Sequence, residues 1–478
     1  MSGPMALEII DILKPEVASQ VSQPGRKFRG LVYADLRLEV KEAQGAAAEN
    51  GQSKQGSRDA TMSLGIRTLA GGKTIAPGYY GRLVGTRELA RVPEIVQEGL
   101  RRAYERAVAS AAQKMVLKRQ MAGLGKSLTN TVLAPIQIRQ ESIPANFQID
   151  PRSVPLPEII RHTTEISRAV AGSDSAVRYN QVASLTQITR RLFVNSEGAV
   201  IDQTSALTEG SCYVVAEQGG VVQEDWDAIG DQRGFEVLLH GVAEEVIRHP
   251  DLATFALELA RDTVALCTVP PCPTTPKPVV VVTDPHFNAL LCHEIVGHPT
   301  ELDRALKMET AYAGRSWLLQ DLAVHQIGRR IASPAVTAYS DPGLPGYGHY
   351  QYDDEGTPGK RVVHIDHGVF QGFMNSRQTA AILGAEPNGH ATATEACLIP
   401  LIRMSNTVFA PGDRRPDDIL REVETGYYVA GHKIPSIAES RENFRISARK
   451  VYEVRDGEIG QLYRDGGIMA DSKDFLMS

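Results

Sequence analysis

Five prolines in the segment Val269–Pro278 limit the secondary structure that this chain of 478 residues can form at that point. Proline has no backbone N–H group and a fixed φ angle, so the segment continues neither a helix nor a central strand. The chain length also favours a division, because single hydrophobic cores rarely grow beyond roughly 250–300 residues. We therefore place the main domain boundary at this segment and predict a C-terminal domain at residues 277–478.

The sequence before the prolines carries both strand and helix patterns. Apolar and polar residues alternate, as in half-buried strands, at residues 31–40, 62–69 and 176–204. Apolar residues recur at helical spacing at residues 94–115 and 235–260. Turn residues at 195–198 predict a hairpin within the third strand segment. We interpret this half as an N-terminal α+β domain at residues 20–120 and a central α+β domain at residues 121–268.

The C-terminal domain begins with a strand and a helix and then becomes mainly β. Residues 279–282 are all valine, and Asp284 followed by Pro285 is a typical helix start. Short alternating segments follow at residues 361–365, 403–409 and 444–454. The predicted fold class is therefore α+β, with N-terminal and central α+β domains followed by a mainly antiparallel β domain that carries the helix after Asp284.

Composition excludes several classes of partner. The net charge of −6 and the pI near 6.1 come from interspersed acidic and basic residues, so we expect no nucleic-acid and no membrane partner. The first residues lack the pattern of a secretory signal, and the apolar runs are too short to cross a bilayer, which predicts a cytoplasmic location. Five cysteines without a CxxC pair predict no disulfide framework.

The helix after Asp284 carries the motif HExxxH, formed by His293, Glu294 and His298. Two histidines five residues apart lie about 140° apart around an α-helix, whereas the four-residue spacing of HExxH separates them by only about 40°. The longer spacing brings the rings together only if the helix contains a π-bulge or is locally unwound. We therefore predict a distorted helix, with Gly297 as the residue that tolerates the backbone change.

These three residues match the chemistry of a catalytic zinc site. The neutral imidazoles of His293 and His298 would bind Zn2+, and an open position would hold a water molecule of lowered pKa. Glu294 would then act as the general base that activates this water for attack on a peptide carbonyl. Glu301 and Asp303 lie one to two turns further on and are either carboxylates that orient the imidazoles or solvated helix surface.

The sequence around the motif resembles the TldD/PmbA family of metallopeptidases. The segment HEIVGHPTELD at residues 293–303 is similar to that family's HExxxH signature. Further similar blocks, in the family's order, are YDDEG at 352–356, RMSNT at 403–407 and APGD at 410–413, with SRD at 57–59 and GIR at 65–67 upstream. The resemblance therefore extends over nearly the whole chain.

The resemblance implies a zinc-dependent peptidase of unfolded or extended peptides. The family has two kinds of subunit, and only the TldD kind carries an intact HExxxH motif, as this chain does. It also implies an enclosed chamber in a homodimer, or in a heterodimer with a related subunit. Within that chamber the peptide would bind as an added β-strand. This binding mode depends on main-chain hydrogen bonds more than on the identity of the side chains.

The resemblance raises one question about the zinc ligands. The family completes its site with a cysteine in a glycine-rich segment near the C-terminus, and this sequence ends at Ser478 before such a segment. Catalytic zinc normally has three protein ligands and a water. Glu301 and Cys397 are the other candidates in the chain, and both stay open at this point. The alternative hypothesis is a catalytically silent subunit that binds peptide or builds the chamber.

Several further residues have simpler interpretations. Asp353, Asp354 and Glu355, taken alone, predict a solvated turn, whereas the resemblance favours a place in the active-site wall. Cys292 is predicted to belong to the core, and His286 lies about 10 Å along the helix from His293, too far to share a metal. The sequence has no GxSxG segment, which argues against a serine hydrolase.

Overall fold

The computed structural model describes residues 7–24, 28–120, 130–245, 247–308, 314–322 and 324–478. The α-helices in these ranges are α1 Ile9–Ser22, α2 Val92–Gln120, α3 Leu156–Ser173, α4 Glu236–His240, α5 Leu252–Leu266, α6 Pro285–Leu291, α7 Leu302–Ala305, α8 Arg377–Leu383, α9 Pro416–Arg421 and α10 Ser472–Met477. Within the same ranges, every helix is too short or too polar to span a membrane.

Strands account for most of the remaining regular structure. Those before the prolines are β1 Leu31–Glu49, β2 Gln52–Gly71, β3 Ile75–Val84, β4 Gln140–Ile143, β5 Val177–Asn195, β6 Val200–Gln218, β7 Val221–Asp231, β8 Val242–Ala243 and β9 Arg248–His249. Those after the prolines are β10 Val280–Thr283, β11 Leu319–Asp321, β12 Val324–His325, β13 Ala338–Ser340, β14 Val362–Asp366, β15 Val369–Phe370, β16 Ala391–Thr392, β17 Leu401–Ile402, β18 Thr407–Phe409, β19 Thr425–Ile437, β20 Asn443–Arg455, β21 Glu458–Tyr463 and β22 Gly467–Asp471. The α+β fold class is confirmed.

One seven-stranded sheet joins the N-terminal and central parts of the chain. Its order is β3-β2-β1-β5-β6-β4, and β7 also pairs with β6. The long strands pair antiparallel, with Asp35 opposite Asn195 where β1 meets β5. The sheet therefore continues across the boundary predicted at residue 120, next to residues 121–129, which lie outside the described ranges. The division into three domains stays a prediction.

Helices cover this sheet and form two apolar clusters with it. Val92, Val96 and Leu100 of α2 pack with β1 and β2, and α1 adds Ile10 and Val17 to the same cluster. In a second cluster, α3 and α5 pack with β5, β6 and β7. The apolar spacing predicted for residues 94–115 is thus the buried face of α2, which begins two residues earlier than expected.

The hairpin predicted at residues 195–198 is confirmed. Asn195 ends β5, and its side-chain Oδ1 accepts hydrogen bonds from the backbone N–H groups of Glu197 and Ala199 at 3.1 and 2.9 Å. Gly198 completes the turn with a φ of 104°, which a residue with a side chain rarely adopts. The turn sequence therefore fixes the register of β5 against β6.

The helix predicted at residues 235–260 is wrong in its middle. The chain forms α4 and α5, separated by a bend and the small strands β8 and β9. Gly241 has a φ of 67°, and a Cβ there would lie 2.4 Å from the carbonyl oxygen of His249. Asp251 then starts a new helix by accepting from the N–H groups of Ala253 and Thr254. Helical spacing of apolar residues continued across this bend, so spacing alone did not reveal it.

The C-terminal part packs around its own apolar cluster and its own sheets. The larger sheet has the order β10-β19-β20-β21, with β22 also on β20, and β10 runs parallel to β19. Four shorter strands form a second sheet in the order β15-β14-β13-β18. The strand predicted at 403–409 is shorter than expected, since only Thr407–Phe409 of this segment forms one. The α6 helix, after β10, belongs to the same cluster.

The acidic run at 353–355 is buried, so the solvated turn predicted from these residues alone is wrong. Asp354 pairs with Arg191 of β5 at 2.8 Å, and Glu355 pairs with Arg67 of β2 at 2.5 Å. Glu355 also accepts from the backbone N–H of Arg377 at 2.6 Å. The burial of a carboxylate costs less free energy when it is paired with a cation or accepts hydrogen bonds. The run thus joins the C-terminal part to the seven-stranded sheet.

We predict a pH-dependent contribution to stability from His364 of β14. The ring is fully buried, accepts from or donates to the Ser340 hydroxyl at 2.8 Å, and burial lowers its pKa to about 4. Below an ordinary pKa near 6.5 the unfolded chain binds a proton that the folded chain does not. The unfolding free energy should therefore decrease as pH falls from about 6.5 to about 4, by about 1.4 kcal/mol per pH unit from this residue.

Urea unfolding of the wild type and of His364→Gln at several pH values measures this effect. The difference in slope between the two proteins should be close to one proton in that window. His367→Gln is the matched control, because His367 lies three residues away with a side chain that is 81% exposed. Equal slopes for wild type and His364→Gln would contradict the prediction.

Candidate metal centre

The helix that carries the motif is fixed at its start by Asp284. Its Oδ1 accepts from the backbone N–H groups of Phe287 and Gly431 at 2.7 and 3.0 Å. The Asp284 N–H donates to the carbonyl of Val429 at 3.0 Å. Because Val429 and Gly431 belong to β19, the helix start is attached directly to the C-terminal sheet. The helix start predicted at Asp284 and Pro285 is confirmed.

The α-helix α6 continues as a π-helix over Cys292–Gly297. A π-helix closes its hydrogen bonds from residue i to i+5, so residues five apart lie nearly one turn apart. The rings of His293 and His298 accordingly lie with centroids 4.5 Å apart at an interplanar angle of 83°. The distorted helix predicted from the HExxxH spacing is confirmed.

Gly297 is required for packing rather than for an unusual backbone angle. Its φ and ψ of −59° and −63° are ordinary for a helix. A Cβ at this position would lie 2.0 Å from the Sδ of Met404, so a side chain would displace that methionine. The expectation that Gly297 supplies backbone freedom is therefore wrong, and close approach to Met404 explains the glycine.

The potential ligand atoms of His293, Glu294 and His298 lie within 4.8 Å of one another. Glu294 is buried, whereas His293 as a whole residue is exposed. Desolvation of the His293 ring and the neighbouring His298 nevertheless lower the pKa of His293 to about 4, so this imidazole is neutral at pH 7. A neutral imidazole keeps the lone pair that a metal needs.

Glu301 and Arg304 lie against the Nδ1 side of the His298 ring. Both carboxylate oxygens of Glu301 lie 3.2 Å from Nδ1 of His298, and Arg304 lies 2.9 Å from the same nitrogen. Glu301 is fully buried and is bound twice more by Arg304, at 2.9 and 2.6 Å. A proton on Nδ1 that is donated to Glu301 leaves Nε2 free to bind a metal. Of the two interpretations, Glu301 thus has the contact of an orienting carboxylate.

Asp303 has a different environment. Its oxygens accept from the backbone N–H groups of Arg304 and Ile402 at 2.8 and 2.9 Å, and it is buried. Burial raises its pKa to about 6. Asp303 therefore links α7 to β17 through hydrogen bonds. It is neither part of a solvated surface nor in contact with an imidazole.

Arg441 contacts Glu294 and was not found by sequence reasoning. Its Nη1 donates to Oε2 of Glu294, although the two residues are 147 positions apart. Arg441 lies in the turn between β19 and β20, a segment without a recognisable motif. Only the folded hairpin brings it to the motif, so no signal in the sequence pointed to it.

The other candidates from the sequence lie elsewhere. The thiol of Cys397 donates to Glu395 at 3.5 Å, and its carbonyl oxygen lies against Gly81 of β3, where an added Cβ would be only 1.9 Å away. Within the described ranges, Cys397 is not part of the cluster. Cys292 is buried, as predicted, and burial raises the pKa of its thiol. His286 pairs with Asp227 at 3.1 Å and stacks on His432. His286 is thus structural.

Comparison with known protein families assigns this chain to one of them. The family described as PmbA/TldA metallopeptidase matches through its central domain at residues 149–265 and through its C-terminal domain at residues 276–478. The chain belongs to the PmbA/TldD metallopeptidase family. The ten residues between the two matches include three of the five prolines that mark the predicted domain boundary.

Individual proteins that are similar to this chain are named metalloproteases. A metalloprotease of Methanothermobacter thermautotrophicus is 30% identical over 276 residues, which are 57% of this chain and 55% of the relative. A zinc metalloprotease TldD homolog of Saccharolobus solfataricus is 31% identical over 214 residues, 41% of this chain and 44% of the relative. The match therefore spans about half the length of these two relatives.

A solved structure shows the same fold. TldE from Thermococcus kodakarensis superimposes with a TM-score of 0.68 at 19% identity, covering 96% of this chain and 92% of that one. At this identity the likeness concerns the fold alone.

The residues of the cluster fit a metal ion. Two imidazoles converge with free ring nitrogens, one of them fixed by a buried carboxylate, as is usual for histidine ligands of metals. Imidazole nitrogens suit zinc and the other first-row transition metals. In the described ranges, Glu294 is the third member of the cluster, and it is paired with Arg441.

We predict that Gly297→Ala destabilises the C-terminal part by about 1–2 kcal/mol, because an added methyl overpacks against Met404. Urea unfolding measures this, and adding Met404→Ala to Gly297→Ala should recover part of the loss. Gly172→Ala is the control, since nothing lies within 4 Å of a Cβ there. A neutral effect of Gly297→Ala would show that Met404 moves aside freely.

Proposed function

We propose that this protein is a zinc-dependent peptidase that uses Glu294 to activate water. The observation that carries the proposal is the π-helix, which brings His293 and His298 together with Glu294 beside them. His293 and His298 would hold the ion. A bound zinc ion would lower the pKa of a water molecule and stabilise negative charge on a carbonyl oxygen.

The protein's own residues would carry out the proton transfers. Glu294 would accept a proton from the attacking water while the water oxygen bonds to the peptide carbonyl carbon. When the C–N bond breaks, the same carboxyl group would give this proton to the amine nitrogen. Glu301, itself held by Arg304, would accept the Nδ1 proton of His298 and keep Nε2 of that ring facing the reaction.

We infer that the substrate is an extended or unfolded peptide. Met404, which lies against Gly297, also lines a cavity of about 410 Å3 between the seven-stranded sheet and the C-terminal part. Main-chain groups of an extended peptide would find hydrogen-bond partners among its polar side chains, which include Gln203, Gln232 and Thr392. Such a site would tolerate many sequences.

We further propose that the chain works in a chamber formed with a second subunit, either a copy of itself or a related chain. The family resemblance and the fold shared with TldE support this assembly. The cytoplasmic location expected from the sequence stays a prediction.

Glu294→Gln tests the catalytic role. Loss of a positioned general base typically lowers the rate by about 100- to 10,000-fold, so we expect a loss in that range with an unchanged zinc-to-protein ratio. Peptide cleavage and elemental analysis measure the two quantities. Glu258→Gln, at an exposed position of α5, is the control and should retain full activity.

Two outcomes would contradict the proposal. Unchanged turnover in Glu294→Gln would remove Glu294 from the mechanism. Peptide binding without cleavage by the zinc-loaded wild type would favour the catalytically silent subunit, whereas cleavage that a chelator abolishes would exclude it.

Glu301→Gln tests how His298 is oriented. A carboxylate that orients a ligand typically contributes 10- to 100-fold to metal affinity, and we expect zinc affinity to fall by roughly that factor. Competition with a chromogenic chelator measures it. Asp303→Asn is the matched comparison, because Asp303 is also buried but touches no imidazole. Equal losses in both variants would assign the effect to general destabilisation.

A further inference from the structure

The turn between β19 and β20 places one cation against the catalytic carboxylate of the motif. Arg441 pairs with Glu294, and their side chains are only 17% and 10% exposed. The Nε of Arg441 is also buried and has no hydrogen-bond partner among the described residues. A buried donor without an acceptor is unfavourable by about 1–3 kcal/mol, so this N–H group is suited to an oxygen that arrives with a ligand.

The backbone at Arg441 indicates that the side chain itself is needed there. Its φ is 66°, a left-handed conformation that costs a residue with a side chain roughly 1–2 kcal/mol. Glycine would adopt it without that cost. An arginine at such a position is thus a poor choice for the turn but a suitable one for reaching Glu294.

Main-chain contacts hold the turn in place independently of the arginine side chain. Ser472 donates from its hydroxyl to the carbonyl of Arg441 and from its N–H to the carbonyl of Glu442, both at 2.7 Å. The N–H of Arg315 donates to the carbonyl of Glu439 at 2.9 Å. The guanidinium is therefore positioned by a rigid turn, and its removal leaves these contacts intact.

We propose that Arg441 is a catalytic residue that binds the carbonyl oxygen of the peptide bond under attack. This inference rests on the proposed peptidase function. As the water oxygen bonds to the carbonyl carbon, the electron pair of the C=O bond moves to that oxygen, and Arg441 donates an N–H hydrogen bond to it. The proton of the water goes to Glu294, so Arg441 keeps its own protons throughout. When the C–N bond breaks, the C=O bond reforms and Arg441 is unchanged.

Charge complementarity favours this role. A guanidinium stays protonated throughout the physiological pH range and offers five N–H donors in a planar fork. It can therefore bind Glu294 through one nitrogen and a second oxygen through another. Donors placed where negative charge develops typically contribute about 100- to 1,000-fold to the rate.

Arg441→Gly and Arg441→Lys test the inference. Glycine suits the left-handed turn, so this variant should fold, and lysine keeps the positive charge but lacks the Nε donor. We expect kcat of Arg441→Gly to fall by about 100-fold or more, with KM changed by less than about threefold and the zinc content unchanged. Arg441→Lys should lose about 10-fold in kcat.

Two further measurements separate a catalytic role from a structural one. Guanidinium ion at millimolar concentration should restore part of the kcat of Arg441→Gly and leave the wild type unaffected. In metal-free protein, calorimetry should show that a peptide phosphonate, whose oxygens imitate the tetrahedral state, binds Arg441→Gly about 10-fold more weakly than wild type. Arg315→Ala, an exposed arginine beside the same turn, is the control and should change neither quantity.

Each outcome decides a different question. A kcat that is unchanged in Arg441→Gly overturns the inference, and a kcat that rises would make the Glu294 pair an inhibitory contact. Equal phosphonate affinity in wild type and Arg441→Gly also overturns it, whether or not the wild type cleaves peptides. An inactive zinc-loaded wild type would instead overturn the peptidase proposal.

Discussion

Buried ion pairs between the acidic run and the seven-stranded sheet hold the two halves of this molecule in one arrangement. Arg191 and Arg67 are bound by carboxylates of their own sheet, Glu39 and Asp35, as well as by Asp354 and Glu355. Each arginine therefore bridges two carboxylates that would otherwise repel each other in a medium of low dielectric constant. Such pairs add little net stability compared with apolar packing, but they tolerate no shift in register. Arg191 and Asp354 also line the cavity between the halves.

The candidate centre combines groups from parts of the chain that have little else in common. A π-helix and the residue directly after it supply the two imidazoles. The following turn and α7 supply Glu301 and Arg304, and a distant hairpin supplies Arg441. Glu301, which is fully buried, contacts His298 and Arg304, and the turn that carries Arg441 is bound through its backbone to Ser472. Preorganisation of this kind removes the free-energy cost of reordering groups during a reaction.

The sequence predicted the parts of this structure that depend on local chemistry. Asp284 and Pro285 marked the helix start, Asn195 marked the hairpin, and the five-residue histidine spacing required a distorted helix. Long-range contacts were beyond its reach. The burial of Asp354 depends on an arginine 163 positions away, and the meaning of Gly297 depends on Met404. Neither partner can be identified from spacing, because both are selected by the fold.

Strand β19 contacts the start of the motif helix through Val429 and Gly431, and it ends near the turn that carries Arg441. The number of residues between these points therefore sets the distance between the Glu294 carboxylate and the Arg441 guanidinium. A strand advances about 3.3 Å per residue, so a two-residue insertion in both arms of the hairpin would preserve its pairing yet carry the guanidinium about 7 Å away. Loop-length variation, which most surface turns accept, is thus incompatible with this hairpin as long as Arg441 and Glu294 work together.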